Sequence, residues 1–189
     1  MYDLPTTVTV GDNEYTIRNN GDYRTIISII DVASDHEFND NEKMVTAIIM
    51  FYEDVNDIAD VYYTFPDMVE AYNAIMRFIS MNNTNVGNET KHKLIDWVQD
   101  EQLITSAINN VAGTEIRALP YLHWWTFIGY YMAVGESALS TVVGIRSKLA
   151  EHKKLAKHEL KFKRDNPQYF MWENDLKRDQ QIISQIWEG

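Results

Sequence analysis

The residues best equipped for chemistry are histidines and carboxylates at helix-like spacings. His158-Glu159 opens like a zinc-protease helix, in which two histidines on one face hold the metal and the glutamate activates water, but Phe162 stands where the second histidine belongs. Glu89-Thr90-Lys91-His92 has the spacing of half a di-iron site, and the other half is missing. Glu53, Asp57 and Asp60 lie at i, i+4 and i+7, one face of a helix. Like charges so placed await a cation or a basic partner, or they form a solvated polar face. Asp96, Asp100 and Glu101 admit the same two readings. His123 sits in the apolar stretch from Leu119 to Met132, with no serine or acid beside it to complete a triad, and reads as a hydrogen-bonded core histidine. The chain has no cysteine, no Walker loop, no Gly-x-Gly-x-x-Gly and no Gly-x-Ser-x-Gly elbow. These patterns predict a protein that is not an enzyme, with no metal and no cofactor.

Bulk properties narrow the partners. The 189 residues suffice for one domain, or one with an appendage, and for a substantial core. At 45% hydrophobic and 24% charged residues, the composition excludes wholesale disorder. The absence of cysteine excludes disulfides and thiolate sites and is compatible with a reducing cytosol. Met1–Thr6 lacks a basic region followed by an apolar one, which predicts no signal peptide. Leu119 to Gly135 is shorter than the about 20 residues a membrane span takes and contains Pro120 and His123, so it predicts a buried helix and no membrane partner. Of the net charge of −11, positions 1–119 hold 7 basic and 20 acidic residues and positions 120–189 hold 10 and 8. Arg146, Lys148, Lys153, Lys154, Lys157, Lys161, Lys163 and Arg164 face only Glu151 and Glu159, a local +6. The acidic body makes nucleic acid an unexpected partner, because neutralising phosphates takes a dominant basic surface. The basic segment reads as a solvated helix face, with an acidic protein surface or RNA as alternatives.

Hydropathy patterning supplies the elements that must position these residues. Val8 and Val10 alternate with Thr7 and Thr9, Tyr15 and Ile17 with Glu14, Thr16 and Arg18, and Gly11-Asp12-Asn13 lies between, which predicts a β-hairpin. Two strands are marginal in water, so the hairpin must dock on helices or pair with another chain. Helical periodicity follows, with a first helix from Asp22 carrying Ile26, Ile27, Ile29 and Ile30. Met44, Ile48, Phe51, Val55, Ile58 and Tyr62, at spacings of 4, 3, 4, 3 and 4, predict one long second helix. Pro66 opens a third, Leu94 to Val111 forms a fourth, Pro120 to Gly135 a fifth, and a sixth runs from about Ser137 to Arg164. Asn82 to Asn88 is a loop, and Asn166-Pro167 breaks the chain before a last amphipathic helix with Phe170, Trp172, Leu176, Ile183, Ile186 and Trp187. The expected fold is mainly α: a bundle of about six or seven helices with an N-terminal β-hairpin. Its body spans residues 1–165, and 166–189 form a C-terminal amphipathic helix, either docked or partner-binding. Glu53, Asp57, Asp60, Trp172, Ile183 and Trp187 are the candidate partner-binding residues.

Leu122-His123-Trp124-Trp125 after Pro120, followed by a glycine-containing helix and then Gly144-Ile145-Arg146, resembles the bacteriophage "gene product fifteen" family of tailed phages and prophages of Gram-positive bacteria. The hairpin beginning near Leu4-Pro5, Asp96, and the Asp-x-x-Leu-Ile pattern at Asp100 to Ile104 fit as well. The resemblance extends over most of positions 4 to 150. It implies a gene placed between those for the tail tube and the tape measure, and the role of a tail assembly chaperone in the host cytoplasm. Such a protein coats the tape-measure protein and self-associates before tail-tube subunits polymerise; a structural virion component of the tail or connector is the alternative. The tape-measure protein, the tail-tube protein and further copies of the chain are the implied partners. No catalytic residue comes with the resemblance. Leu122, His123, Trp124, Trp125 and Arg146 match its motif, and their expected task is to build the fold.

Overall fold

A computed structural model describes residues 3–83 and 92–172. Among them are eight α-helices, three short 3-10 turns and one two-stranded antiparallel sheet, so the fold is mainly α. The chain divides into two compact units. One is made by the described parts of Met1–Glu89 and Ile108–Ala133, the other by those of Thr90–Ala107 and Val134–Gly189.

The first unit opens with the expected hairpin. β1 (Thr7–Val10) pairs with β2 (Asn13–Thr16), placing Thr7 opposite Thr16 and Val8 opposite Tyr15. Gly11 takes φ +59° at the head of the turn, a conformation that costs glycine nothing because no Cβ opposes it. The hairpin is docked on helices. The Gly11 N–H donates to Glu70 Oε1 at 3.0 Å, and the Tyr15 ring lies 4.8 Å from that of Phe65.

α1 (Tyr23–Ser34) starts at Asp22, whose carboxylate accepts the Arg24 N–H. α2 (Asp40–Phe51) begins with a capping box between Asn39 and Glu42. The seam from Met44 to Tyr62 does not form one helix: α2 ends at Phe51, and α3 (Ile58–Thr64) is separate. The cause lies some thirty-five residues upstream. Thr16 O accepts the Glu53 N–H at 3.0 Å, Ile17 bridges to Tyr52, and the Arg18 guanidinium donates to the carbonyls of Tyr52 (3.0 Å) and Val55 (2.7 Å). These tertiary bonds satisfy backbone groups that a continuing helix would have paired internally, so the periodic pattern loses to them. α4 (Met68–Ile79) follows, capped by Asp67. Ile26, Ile29, Ile48, Phe51, Val61 and Ile75 are wholly buried and make this unit's core.

α5 (Glu101–Ala112) contains the unit boundary, between Ala107 and Ile108. α6 (Trp124–Met132) closes the first unit. Its sequence is apolar on every side, which predicts a central helix, but only Trp124, Phe127 and Ile128 are buried and Met132 is 72% exposed. With nine residues it packs one face, and its last turn meets solvent.

In the second unit the helix expected from Ser137 to about Arg164 is two: α7 (Ala138–Ala150) and α8 (Lys157–Asp165). His152 takes φ +55°, and the Lys153 N–H returns to the Lys148 carbonyl at 2.7 Å, closing α7 in the left-handed manner of many helix ends. Glu159 then accepts the Ala156 N–H at 2.8 Å and pairs with Lys148 at 2.6 Å, which starts α8 in a new direction. Two broken helices thus raise the count above the expected six or seven. Pro167–Phe170 is a 3-10 turn rather than the start of an amphipathic helix. The rest of that predicted helix, with Ile183 and Trp187, lies outside the described residues. Among the described residues no helix is long and apolar enough to cross a membrane.

Candidate protein-binding surfaces

His123 is the N-cap of α6 and is 1% exposed. Its Nδ1 accepts the Trp125 N–H at 3.0 Å, so in the neutral ring Nε2 carries the proton and donates to Pro5 O at 3.0 Å. Burial holds its pKa below the usual histidine value, a shift that the Pro5 carbonyl partly offsets. Phe78 and Trp125 flank the ring. The backbone of Gly21, at φ +73°, comes so close that a Cβ there would meet Phe78 at 2.8 Å and the histidine ring at 3.3 Å. Neither ring nitrogen is left free to move a proton or hold a metal.

The neighbouring motif residues serve the same junction. Leu122 is clamped from both sides: its N–H donates to Asp22 Oδ2 at 3.0 Å and its carbonyl accepts the Tyr23 N–H at 2.9 Å. Trp124 and Trp125 donate their indole N–H groups to the carbonyls of Ile79 and Phe78, each at 2.9 Å. Those carbonyls end α4, where the helix itself offers few donors, so the tryptophan pair caps one helix while beginning another.

Arg146 belongs to the second unit and pairs bidentately with Asp100, at 2.5 and 2.9 Å. The two side chains are 5% and 0% exposed. The guanidinium also donates to Leu94 O at 3.0 Å and Tyr169 O at 2.9 Å, and lies 4.3 Å from the Trp172 ring centre. Asp100 accepts in addition the Asp96 N–H at 3.0 Å. Trp172 therefore covers a buried ion pair. Sequence reasoning singled out Arg146, Trp172 and Asp100 separately, the last with a basic partner as one of two readings, but not their meeting, since no local pattern connects positions 46 residues apart.

Glu53, Asp57 and Asp60 do not share a helical face, because the helix that would align them ends before Glu53. Each is an acceptor for a backbone N–H: Glu53 for Asn19 (3.2 Å), Asp57 for Asp60 (2.9 Å) and Asp60 for Asn56 (2.9 Å). Asp57 is the N-cap of α3. Beside them that helix exposes Ile58, Tyr62 and Tyr63, an apolar surface that the heptad pattern assigned in part to the core. On α8, Leu160 is exposed among lysines.

Among the described residues no group of three or more histidines and carboxylates could hold a metal ion, and comparison with known proteins identifies the chain's family. The family model described as "Bacteriophage Gp15 protein" matches residues 1–169. No curated protein and no solved structure matches.

Proposed function

The chain belongs to the bacteriophage Gp15 protein family, and on that premise we propose that it is a tail assembly chaperone. In this reading it binds the tape-measure protein and further copies of itself in the host cytoplasm, holding the client soluble until tail-tube subunits enclose it. The family match over residues 1–169 carries the proposal. Two features of the molecule support it. The polar groups of the motif, His123, Asp100 and Arg146, are committed to bonds within the fold, which favours a role without catalysis. Large apolar side chains stand exposed on charged helices, the surface expected of a protein that makes many modest contacts along an extended client.

Co-expression with the tape-measure protein of the same genome, followed by size exclusion with light scattering, tests this. A soluble complex with many copies of the chain per client is the expected result. A tape measure that stays insoluble while the chain elutes alone sinks the chaperone reading. In that case a virion component takes its place, and mass spectrometry of purified particles finds the chain there; a chaperone is absent from them.

A further inference from the structure

Two short helices, one in each unit, carry faces of opposite charge and similar build. On α3, Ile58 and Tyr62 lie four residues apart, and Ala59 and Tyr63 repeat that spacing one position on, so the four share one side of the helix. Ile58 is 58%, Tyr62 55% and Tyr63 90% exposed. The surrounding stretch 44–76 contains six acidic residues, Glu53, Asp54, Asp57, Asp60, Asp67 and Glu70, and no lysine or arginine. Among the described residues none of the six enters an ion pair. Where they are bonded, it is to backbone N–H groups; Arg18 reaches the carbonyls of Tyr52, Glu53 and Val55 and offsets one of these charges, so the surface stays net negative.

On α8, Lys157, Leu160, Lys161 and Arg164 fall at i, i+3, i+4 and i+7, one face with an apolar residue along its edge. Leu160 is 55% exposed. Lys157 and Lys161 form no ion pair among the described residues, since Glu159 is taken by Lys148. The charge difference extends to the units themselves. The first contains 17 acidic and 5 basic residues (net −12), the second 11 and 12 (net +1).

We infer that α3 of one copy docks against α8 of a second copy, adding copies head to tail. The inference rests on the self-association in the proposed function and assigns its surfaces. Charge selects this arrangement over the symmetric ones. A twofold contact of α3 on α3 sets one acidic stretch against another, and α8 on α8 sets lysine against lysine. The heterologous contact neutralises both stretches and covers Tyr62, Tyr63 and Leu160 together. It also leaves one α3 face and one α8 face unpaired in any open assembly, so further copies can add along an extended client.

Size exclusion with light scattering on the full chain, over a concentration series at low and high salt, is the test. The wild type is expected to form assemblies that grow with concentration and shrink as salt screens the contact. Tyr63→Lys disables the α3 face at a position too exposed to disturb folding, and Lys157→Glu with Lys161→Glu disables the α8 face; circular dichroism verifies the fold of both. Each variant alone is expected to run as the 22.0 kDa monomer. Their equimolar mixture is expected to form a dimer and stop there, because each copy keeps the face the other lost. A variant that assembles like the wild type, or a mixture that stays monomeric, overturns the assignment of faces while self-association stands. A wild type that is monomeric at every concentration overturns the inference. If it is also monomeric on its client, the self-association reading falls with it.

Discussion

His123 and Arg146 both come from the motif, both are buried, and both commit their side-chain nitrogens to hydrogen bonds. They differ in what answers them. The imidazole meets only backbone, the Trp125 N–H on one side and the Pro5 carbonyl on the other, and it does so uncharged. The guanidinium meets a carboxylate as well as two carbonyls, inside a site where neither charge reaches water. A neutral junction loses a few bonds when its centre is removed. A charged one keeps a stranded ion. The two units therefore differ in how they tolerate substitution, although each has a buried polar side chain of the motif at a junction.

Arg146→Met tests the charged junction and has the largest expected effect. It leaves the Asp100 carboxylate buried and unpaired, which costs about 3–5 kcal/mol, read as a drop in the urea midpoint. Adding Asp100→Leu removes the stranded charge, and the double variant recovers most of that loss. If the double variant is as unstable as the sum of the singles, the two residues are not coupled and the contrast fails.

His123→Ala comes next. It removes the cap acceptor of α6, worth about 1 kcal/mol, and leaves the Pro5 carbonyl without a donor, a further cost of about 1–2 kcal/mol. His123→Asn keeps a cap acceptor and gives back the first part. Equal losses for the two variants would mean that the ring's packing against Phe78 and Gly21, and not its hydrogen bonds, sets the cost.

The distance between cause and effect along the chain separates what the sequence revealed from what it hid. The hairpin was legible because alternation and a glycine turn are local, and so were the starts of α1 at Asp22 and of α4 just after Pro66. The mainly helical class followed from periodicity. The break after Phe51 was not legible, since Arg18 and Thr16 cause it from more than thirty residues upstream in sequence. That error moved Glu53, Asp57 and Asp60 off the face predicted for them. It also concealed the exposed side of α3, whose Ile58 and Tyr62 continue the core pattern of α2 in sequence but not in space. Within the motif, His123 as a core histidine was readable from its apolar surroundings. The Asp22 clamp on Leu122 and the Asp100 partner of Arg146 were not, because single carboxylates carry no mark of what they will meet 100 or 46 residues away.

The smallest expected effect is also the most specific to the neutral junction. Burial lowers the pKa of His123 in the folded chain, so the unfolded chain takes up a proton there first. The stability this ring confers is complete above its unfolded pKa of about 6.5 and is lost as pH falls from there through the folded value. Urea midpoints from about pH 7.5 down to about pH 5.5 should therefore decline more steeply for the wild type than for His123→Asn, which has no proton to gain in that window. Arg146→Met should keep the wild-type slope from its lower starting point, because it leaves the ring and its two backbone partners in place. Parallel slopes for the wild type and His123→Asn would show that the buried ring is not what the acid attacks, and the two junctions would then differ only in magnitude and not in kind.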